Sequence, residues 1–183
     1  MLNILDLKQK QEQLDTFIIQ KHNLKKDDAL IRKIRLALIT EIGEMVNERP
    51  DIFKYWKKSA TVDKDKFKEE YSDILHFALS IDNYTNQLLN EFNACTNCDD
   101  KAKVSNFLDK KINEKYECME ITIDDSTDIQ YYVIQCIEKI CNCDEVLYNT
   151  LLLGRLLGIT YEDIENEYNR KYKINIERQN NNY

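Results

Sequence analysis

The near absence of glycine and proline is the feature that most restricts how this chain can fold. The 183 residues include three glycines and one proline, whereas average proteins contain about 7% glycine and about 5% proline. Tight turns depend on these two residue types, so a turn-rich all-β fold is unfavourable. Long stretches of Leu, Lys, Glu and Asn at helical spacing fill the chain instead. The composition therefore predicts an all-α protein.

We expect one domain over residues 1–183, because a chain of this length supports one core and is too short for two full domains. Apolar residues at steps of three and four predict helices over roughly residues 2–21, 29–48, 64–90, 101–117, two between 129 and 157, and one after Thr160. Asp28 is the expected N-cap of the second helix, Gly158 a C-cap, and Thr160 with Asp163 the cap of the last helix. The polar residues 91–128 are a candidate variable sub-region.

The charge of the chain limits its partners. Its formal net charge is −7, which argues against a general nucleic-acid-binding protein, because such proteins carry a basic surface for phosphates. The N-terminus lacks a basic and then apolar leader, and no apolar run approaches about 18 residues. We therefore expect a cytoplasmic protein that neither binds nucleic acid nor spans a membrane.

Two of the predicted helices each carry a pair of acidic residues among apolar neighbours. Glu41 and Glu44 lie three residues apart in the first, and Glu70 and Asp73 in the second, so each pair projects from one side of its helix. We expect such apolar helices to be buried on most sides and the four carboxylates to face one cavity. Unpaired buried carboxylates are unfavourable unless cations neutralise them. Oxygen ligands suit Mg²⁺, and the pattern predicts a helical bundle with a buried carboxylate magnesium site.

Basic and aromatic residues flank this acidic region. Residues 51–68 contain six lysines and three aspartates, together with Phe53 and Trp56. An anionic ligand with a flat ring would need such residues, although a solvated loop held to the core by Phe53 and Trp56 is the simpler alternative. In the last helix, Lys171, Asn175 and Arg178 share one polar face, which forms a second candidate phosphate site.

Two other metal sites are weaker interpretations. Asp73 and His76 have the acid-x-x-His spacing of di-iron bundles, but the chain has no second such pair. Cys95 with Cys98, and a second close pair at residues 141 and 143, could be imagined as two halves of a zinc site, but no histidine lies nearby. Reduced cysteines without a metal are the default in a cytosolic protein.

Several motifs, taken in chain order, resemble those of the dimeric dUTPases, within the MazG-like superfamily of all-α nucleoside triphosphate pyrophosphohydrolases. They are Gln11-Glu-Gln-Leu-Asp15, Glu41-x-x-Glu44, Phe53-Lys-Tyr-Trp-Lys57, Glu70-Tyr-Ser-Asp-Ile-Leu-His-Phe-Ala-Leu-Ser-Ile81 and Lys171-Tyr-Lys-Ile-Asn-Ile-Glu-Arg-Gln-Asn-Asn-Asn-Tyr183. The C-terminal motif is the most specific. Tyr172 replaces the asparagine that is usual in the family, and Asn182 replaces a glycine.

The resemblance implies hydrolysis of dUTP to dUMP and pyrophosphate, with dUDP as a further substrate, by a homodimer in which both subunits contribute to each active site. It implies more than one Mg²⁺ per site. The implied metal ligands and catalytic residues are Glu41, Glu44, Glu70 and Asp73, with Glu41 the favoured general base. The implied phosphate ligands are Lys57, Lys171, Asn175 and Arg178. The implied base and sugar ligands are Gln11, Asp15, Trp56 and His76.

Three alternatives remain open at this point. A related pyrophosphohydrolase for another nucleoside triphosphate would use the same metal and phosphate residues. A non-catalytic helical interaction protein would pair its buried acids with lysines and would be indifferent to Mg²⁺. A metal-storing or redox bundle would bind iron.

Overall fold

The computed structural model describes residues 2–96, 100, 103–122 and 126–181. Within these residues the chain is helical and has no β-strand, which confirms the predicted all-α class. The helices, numbered in chain order, are α1 (Ile4–Lys21), α2 (Asp28–Asn47), α3 (Pro50–Phe53), α4 (Lys64–Thr85), α5 (Gln87–Thr96), α6 (Val104–Thr122), α7 (Ser126–Cys141), α8 (Val146–Leu156) and α9 (Tyr161–Asn180).

The helix α4 lies at the centre of the bundle, where it contacts α1, α2, α5, α8 and α9. Half of its 22 residues are buried, including Tyr71, Leu75 and Leu79. The helix α8, which packs against α4, α6 and α7, is buried along almost its whole length. Helices that are apolar on several sides require such neighbours. The acidic residues of α4 are therefore held on a helix with little freedom to move.

The first and last helices lie side by side and run in the same direction. The Tyr168 hydroxyl lies 3.2 Å from the backbone oxygen of Leu7 at the start of this contact. At its other end, His22 Nε2 lies 2.7 Å from Gln179 Oε1. Later residues of α1 therefore contact later residues of α9, as in two parallel helices. Both helices also contact α4, so the three enclose one side of the bundle.

The predicted helix ends agree with the structure in some places and differ in others. Thr160 and Asp163 form the expected capping box of α9, and Gly158 has the positive φ of +83° expected after α8. The N-cap of α2 is Asp27 rather than Asp28, because the Asp27 side chain accepts hydrogen bonds from the next turn. The helix predicted over residues 64–90 is divided at Asn86, which adopts a left-handed conformation.

The prediction that α2 is buried on most sides is wrong. Leu38, Ile42 and Met45 are buried against the core, but Leu36 is 66% exposed and Ile39 is 44% exposed. The spacing explains this difference, because the buried residues form one stripe facing α4 and the exposed ones lie on another side. Within this chain, α2 is covered on one side only.

The remaining predictions concern the membrane and the cysteines. None of the described helices is both long and apolar enough to cross a membrane. Cys98, half of the first candidate zinc pair, lies outside the described residues, as do Asn182 and Tyr183 of the C-terminal motif. Cys141 and Cys143 are half-buried free cysteines, and burial raises the pKa of both thiols. Such thiols are less ready than exposed ones to form the thiolates that ligate zinc.

Candidate active site

Three carboxylates from two adjacent helices form a close cluster. Glu41 and Glu44 lie on α2 and Glu70 lies on α4, and an oxygen of each lies within 4.8 Å of an oxygen of the others. Glu41 and Glu70 are half-buried and Glu44 is exposed. The cluster is therefore more open to solvent than the buried site predicted from the sequence. Three oxygen donors at this separation, with room for water, fit a hard divalent cation.

The fourth predicted ligand, Asp73, is engaged by a lysine. Lys171 Nζ from α9 lies 2.6 Å from Asp73 Oδ2 and 2.9 Å from Glu69 Oε1. The Lys171 side chain is 6% exposed, whereas those of Asp73 and Glu69 are 22% and 41% exposed, so this interaction is only partly buried. Asp73 is still close enough to the cluster for its charge to raise the pKa of Glu41 and of Glu70. The four acids therefore share one electrostatic site.

Burial and repulsion between like charges act together on this cluster. Burial is the main cause that raises the pKa of Glu41 to about 7, followed by the charges of Asp73, Glu44 and Glu70. Burial and two of the same neighbours also raise the pKa of Glu70. The Lys171 charge opposes both shifts without removing them. The four acids therefore carry more negative charge than the Lys171 ammonium group neutralises, as is expected of a site that binds a cation.

A cavity of about 500 Å³ lies beside these carboxylates, between α1, α2, α4 and α9. Its wall includes Glu41 and Asp73 from the acidic site, and Asn175 and Arg178 from α9. Apolar side chains cover much of the remaining wall, including Leu14, Ile18, Ile34 and Phe77. A cavity of this size, mostly apolar with a few converging polar groups, is typical of a small-molecule site.

The polar side of the cavity contains three of the four base and sugar ligands implied by the resemblance. Gln11, Asp15 and His76 all line the cavity. Gln11 Oε1 lies 2.7 Å from His76 Nδ1, and Gln11 Nε2 lies 2.8 Å from Asp15 Oδ1. Burial raises the pKa of Asp15, although hydrogen bonds from Ser80 and Gln11 oppose the shift. The structure thus brings together three residues that lie up to 65 positions apart in the chain.

The structure does not bring Trp56 and Lys57 to this cavity. Both are exposed on the segment that joins α3 to α4, where Trp56 packs edge-on against Phe53 and Tyr55. Lys57 lines a different cavity, of about 460 Å³, between this segment and α7. Of the twelve predicted site residues, ten therefore line the cavity or contribute to the acidic site beside it.

Three residues at the site were not predicted from the sequence. Glu69 binds Lys171, Ser80 donates towards Asp15 Oδ1, and the Tyr168 ring stacks on His76 with 4.2 Å between ring centroids. Ser80 is one turn beyond His76, and this spacing could have identified it. Glu69 and Tyr168 required knowledge of how α4 and α9 meet.

A family model described as dUTPase matches residues 3–183, which is nearly the whole chain. The chain belongs to the dUTPase family. No curated protein and no solved structure matches it at a significant level. Membership in the dUTPase family gives dUTP hydrolysis as the general reaction and a nucleotide as the substrate. In this dUTPase-family chain, the carboxylate cluster is the candidate site for the divalent metal on which dUTPases generally depend.

Proposed function

We propose that the protein hydrolyses dUTP to dUMP and pyrophosphate at the carboxylate cluster, with dUDP as a further substrate. The main support is one arrangement in a chain of the dUTPase family. Three carboxylates lie within 4.8 Å of one another, and they lie beside a cavity whose wall includes Asn175 and Arg178. This reaction would remove dUTP from the cytoplasmic nucleotide pool. Each subunit of the proposed enzyme is the single all-α domain formed by residues 1–183.

Glu41, Glu44, Glu70 and Asp73 hold Mg²⁺ in this proposal, with more than one ion per site as the resemblance implies. Bound Mg²⁺ would neutralise the charge of the triphosphate and make water a stronger acid. Glu41 is the proposed general base, because it is a half-buried carboxylate that lines the cavity beside the cluster. Lys171 binds Asp73 Oδ2, so Asp73 can bind the metal through Oδ1 or after releasing Lys171.

The phosphate ligands of the proposal come from two places. Arg178 and Asn175 are on the cavity wall, and the guanidinium can bind two phosphate oxygens at once. Lys171, once released by Asp73, lies beside the metal ligands and can bind a third oxygen. Lys57 is a further phosphate ligand in this proposal. Within one chain, however, it lies outside the cavity beside the carboxylates.

A homodimer would supply Lys57 together with Trp56. Among the residues whose exposure the structure describes, seven of the eight exposed large apolar ones lie on α2, on α7 or on α3 and the segment after it. They are Leu36, Ile39, Phe53, Tyr55, Trp56, Tyr131 and Ile134. The helices α2 and α3 both contact α7, and Phe53, Tyr55 and Ile134 line the same cavity. Concentrated exposed apolar residues mark interaction surfaces. We propose that a second copy packs here and brings its own Trp56 and Lys57 towards the site.

Release of pyrophosphate tests the assigned reaction. The rate should be measured with Mg²⁺ on dUTP, dCTP, dTTP and UTP, in the native protein and in Glu44→Gln. Turnover of dUTP alone, lost in the variant, is the expected result. Turnover of another nucleotide would agree with the proposed mechanism but contradict dUTP as the substrate. A folded protein that hydrolyses none of them would favour the helical interaction protein.

A further inference from the structure

The ammonium group of Lys171 lies between two carboxylates on successive turns of α4. Its Nζ atom is 2.6 Å from Asp73 Oδ2 and 2.9 Å from Glu69 Oε1. The two acids are four residues apart, so both project from the same side of the helix. Asp73 is a proposed metal ligand, whereas the resemblance assigns Glu69 no role. Glu69 is therefore a second anionic partner of a lysine that already contacts the metal site.

A second basic residue of α9 orients the Glu69 side chain. Arg170 Nη2 lies 3.4 Å from Glu69 Oε2, and Arg170 Nε lies 2.7 Å from Glu167 Oε2. Glu69 thus directs one oxygen to Arg170 and the other to Lys171. Among the described residues, it lies outside the close cluster of three carboxylates. Glu69 is therefore placed to hold a lysine beside the metal ligands rather than to bind the ion itself.

Asp73 holds Lys171 less strongly once a divalent ion binds this carboxylate. On either oxygen, the charge of the ion opposes the attraction between Asp73 and the ammonium group. The Lys171 side chain is 6% exposed, so water reaches it poorly, and an unpaired charge there would be unfavourable. Glu69 remains as an anionic partner. An ammonium group has three N–H donors, so those that Asp73 releases become available to a phosphate oxygen.

We propose that Glu69 is a positioning residue that holds Lys171 while Mg²⁺ binds Asp73, until a phosphate of the nucleotide becomes the partner of this lysine. The inference deepens the proposed function and rests on its metal site. With Glu69 present, the protein can bind Mg²⁺ before the nucleotide arrives, because Lys171 stays paired. Without Glu69, Mg²⁺ binding leaves Lys171 without an anionic partner until the triphosphate supplies one.

Calorimetric titration with Mg²⁺ in the absence of nucleotide tests this role. Glu69→Gln should weaken Mg²⁺ binding at least about fivefold, because a neutral amide oxygen is a weaker acceptor for Lys171 than a carboxylate. Lys171→Met should strengthen Mg²⁺ binding, since it removes the cation that competes for Asp73. When Glu69→Gln is added to Lys171→Met, the further change should be at most about twofold, because solvent and salt screen a charge outside the cluster.

Glu167→Gln is the matched control, because it removes the same charge from the other carboxylate partner of Arg170. Its affinity for Mg²⁺ should stay within about twofold of the native value. Thermal unfolding in EDTA establishes that each variant is folded. Native affinity in Glu69→Gln would overturn the proposal. An equal loss of affinity with and without Lys171 would also overturn it, because the charge of Glu69 would then act without the lysine.

The change of partner to the nucleotide is measured from the Mg²⁺ concentration that gives half the maximal rate at saturating dUTP. This concentration should differ by at most about twofold between the native protein and Glu69→Gln, since a phosphate oxygen then pairs with Lys171. A difference as large as that found without nucleotide would overturn the exchange of Lys171 from Glu69 to the triphosphate. If no nucleotide is hydrolysed, the assigned reaction fails, and the calorimetric titrations still decide whether Glu69 holds Lys171 when Mg²⁺ binds.

Discussion

At the scale of single residues, Glu41 has the greatest unfavourable charge at the acidic site. Its pKa rises from 4.5 to about 7 in the folded protein, while the unfolded chain keeps the lower value. The unfolded state therefore releases this proton first, and the stability of the fold falls as the pH rises from about 4.5 to about 7. Binding sites often retain such local instability because the ligand removes it.

Replacing Glu41 by Gln should remove this pH dependence. The Tm of Glu41→Gln in EDTA should match that of the native protein near pH 4.5 and exceed it increasingly up to about pH 7. Glu165→Gln, at an exposed position on α9, is the matched control and should show the same difference at every pH. Differential scanning calorimetry measures the effect. A constant gain in Tm for Glu41→Gln would show that charge at this position is not the cause.

Magnesium should stabilise the native protein under the same conditions. At a Mg²⁺ concentration ten times the Kd, binding adds about 1.4 kcal/mol to the free energy of unfolding. The rise in Tm should be larger at pH 8 than at pH 5, because the carboxylates must be ionised to bind the metal. Glu44→Gln should reduce the rise, and equal rises in the native and variant proteins would argue against the cluster as the metal site.

At the scale of helices, one glycine lies in a tight contact between α4 and α8, and another, on α2, has open space beside it. A Cβ added to Gly154 on α8 would lie 2.4 Å from the Tyr71 hydroxyl and 2.6 Å from the ring carbon that bears it. Tyr71 is buried, and its hydroxyl donates to the backbone oxygen of Thr150, so the ring has no room to withdraw. Gly43 on α2 has no such neighbour within 4 Å among the described residues.

Substitution of these glycines by alanine should therefore have opposite effects. Gly154→Ala should lower the free energy of unfolding by about 2 kcal/mol, because overpacking exceeds the gain in helix propensity. Gly43→Ala should raise it by about 0.5–1 kcal/mol, since only the propensity changes. Urea unfolding monitored by circular dichroism measures both. A loss of stability in Gly43→Ala would indicate that a second copy packs against this part of α2.

At the scale of the whole molecule, the proposed dimer predicts recovery of activity on mixing two defective proteins. Glu44→Gln lacks a metal ligand, and Lys57→Ala lacks the positive charge of the exposed segment. If each site combines the carboxylates of one copy with the segment of the other, mixed dimers contain one intact site. Equal mixing after dissociation should then restore about one quarter of native activity.

The control for this experiment is a mixture of Glu44→Gln with Glu70→Gln. Both variants lose a carboxylate of the same cluster, so a mixed dimer contains no intact site and should stay inactive. Failure of the first mixture, with dimers shown by light scattering, would place Lys57 in its own subunit's site or outside catalysis.

The fold could be predicted from the sequence because periodicity fixes which residues share a side of a helix. It predicted the helix over residues 29–48 and the cap at Thr160, and the structure has both. Periodicity does not say which side a neighbour covers, so the exposure of Leu36 was missed. The acid pairs were found because their spacing is local. The hydrogen-bond partners of Gln11 could not be predicted, since they lie on three different helices.

The parallel contact of α1 with α9 has a consequence for the order in which the chain folds. The Tyr168 hydroxyl and its partner Leu7 are 161 residues apart, so closing this contact costs more chain entropy than closing α7 on α8. We therefore expect α7 and α8 to associate early and the last helix to dock late. Amide protons of α9 should then exchange faster than those of α8. A nucleotide bound between the two ends of the chain would slow this exchange by tying them together.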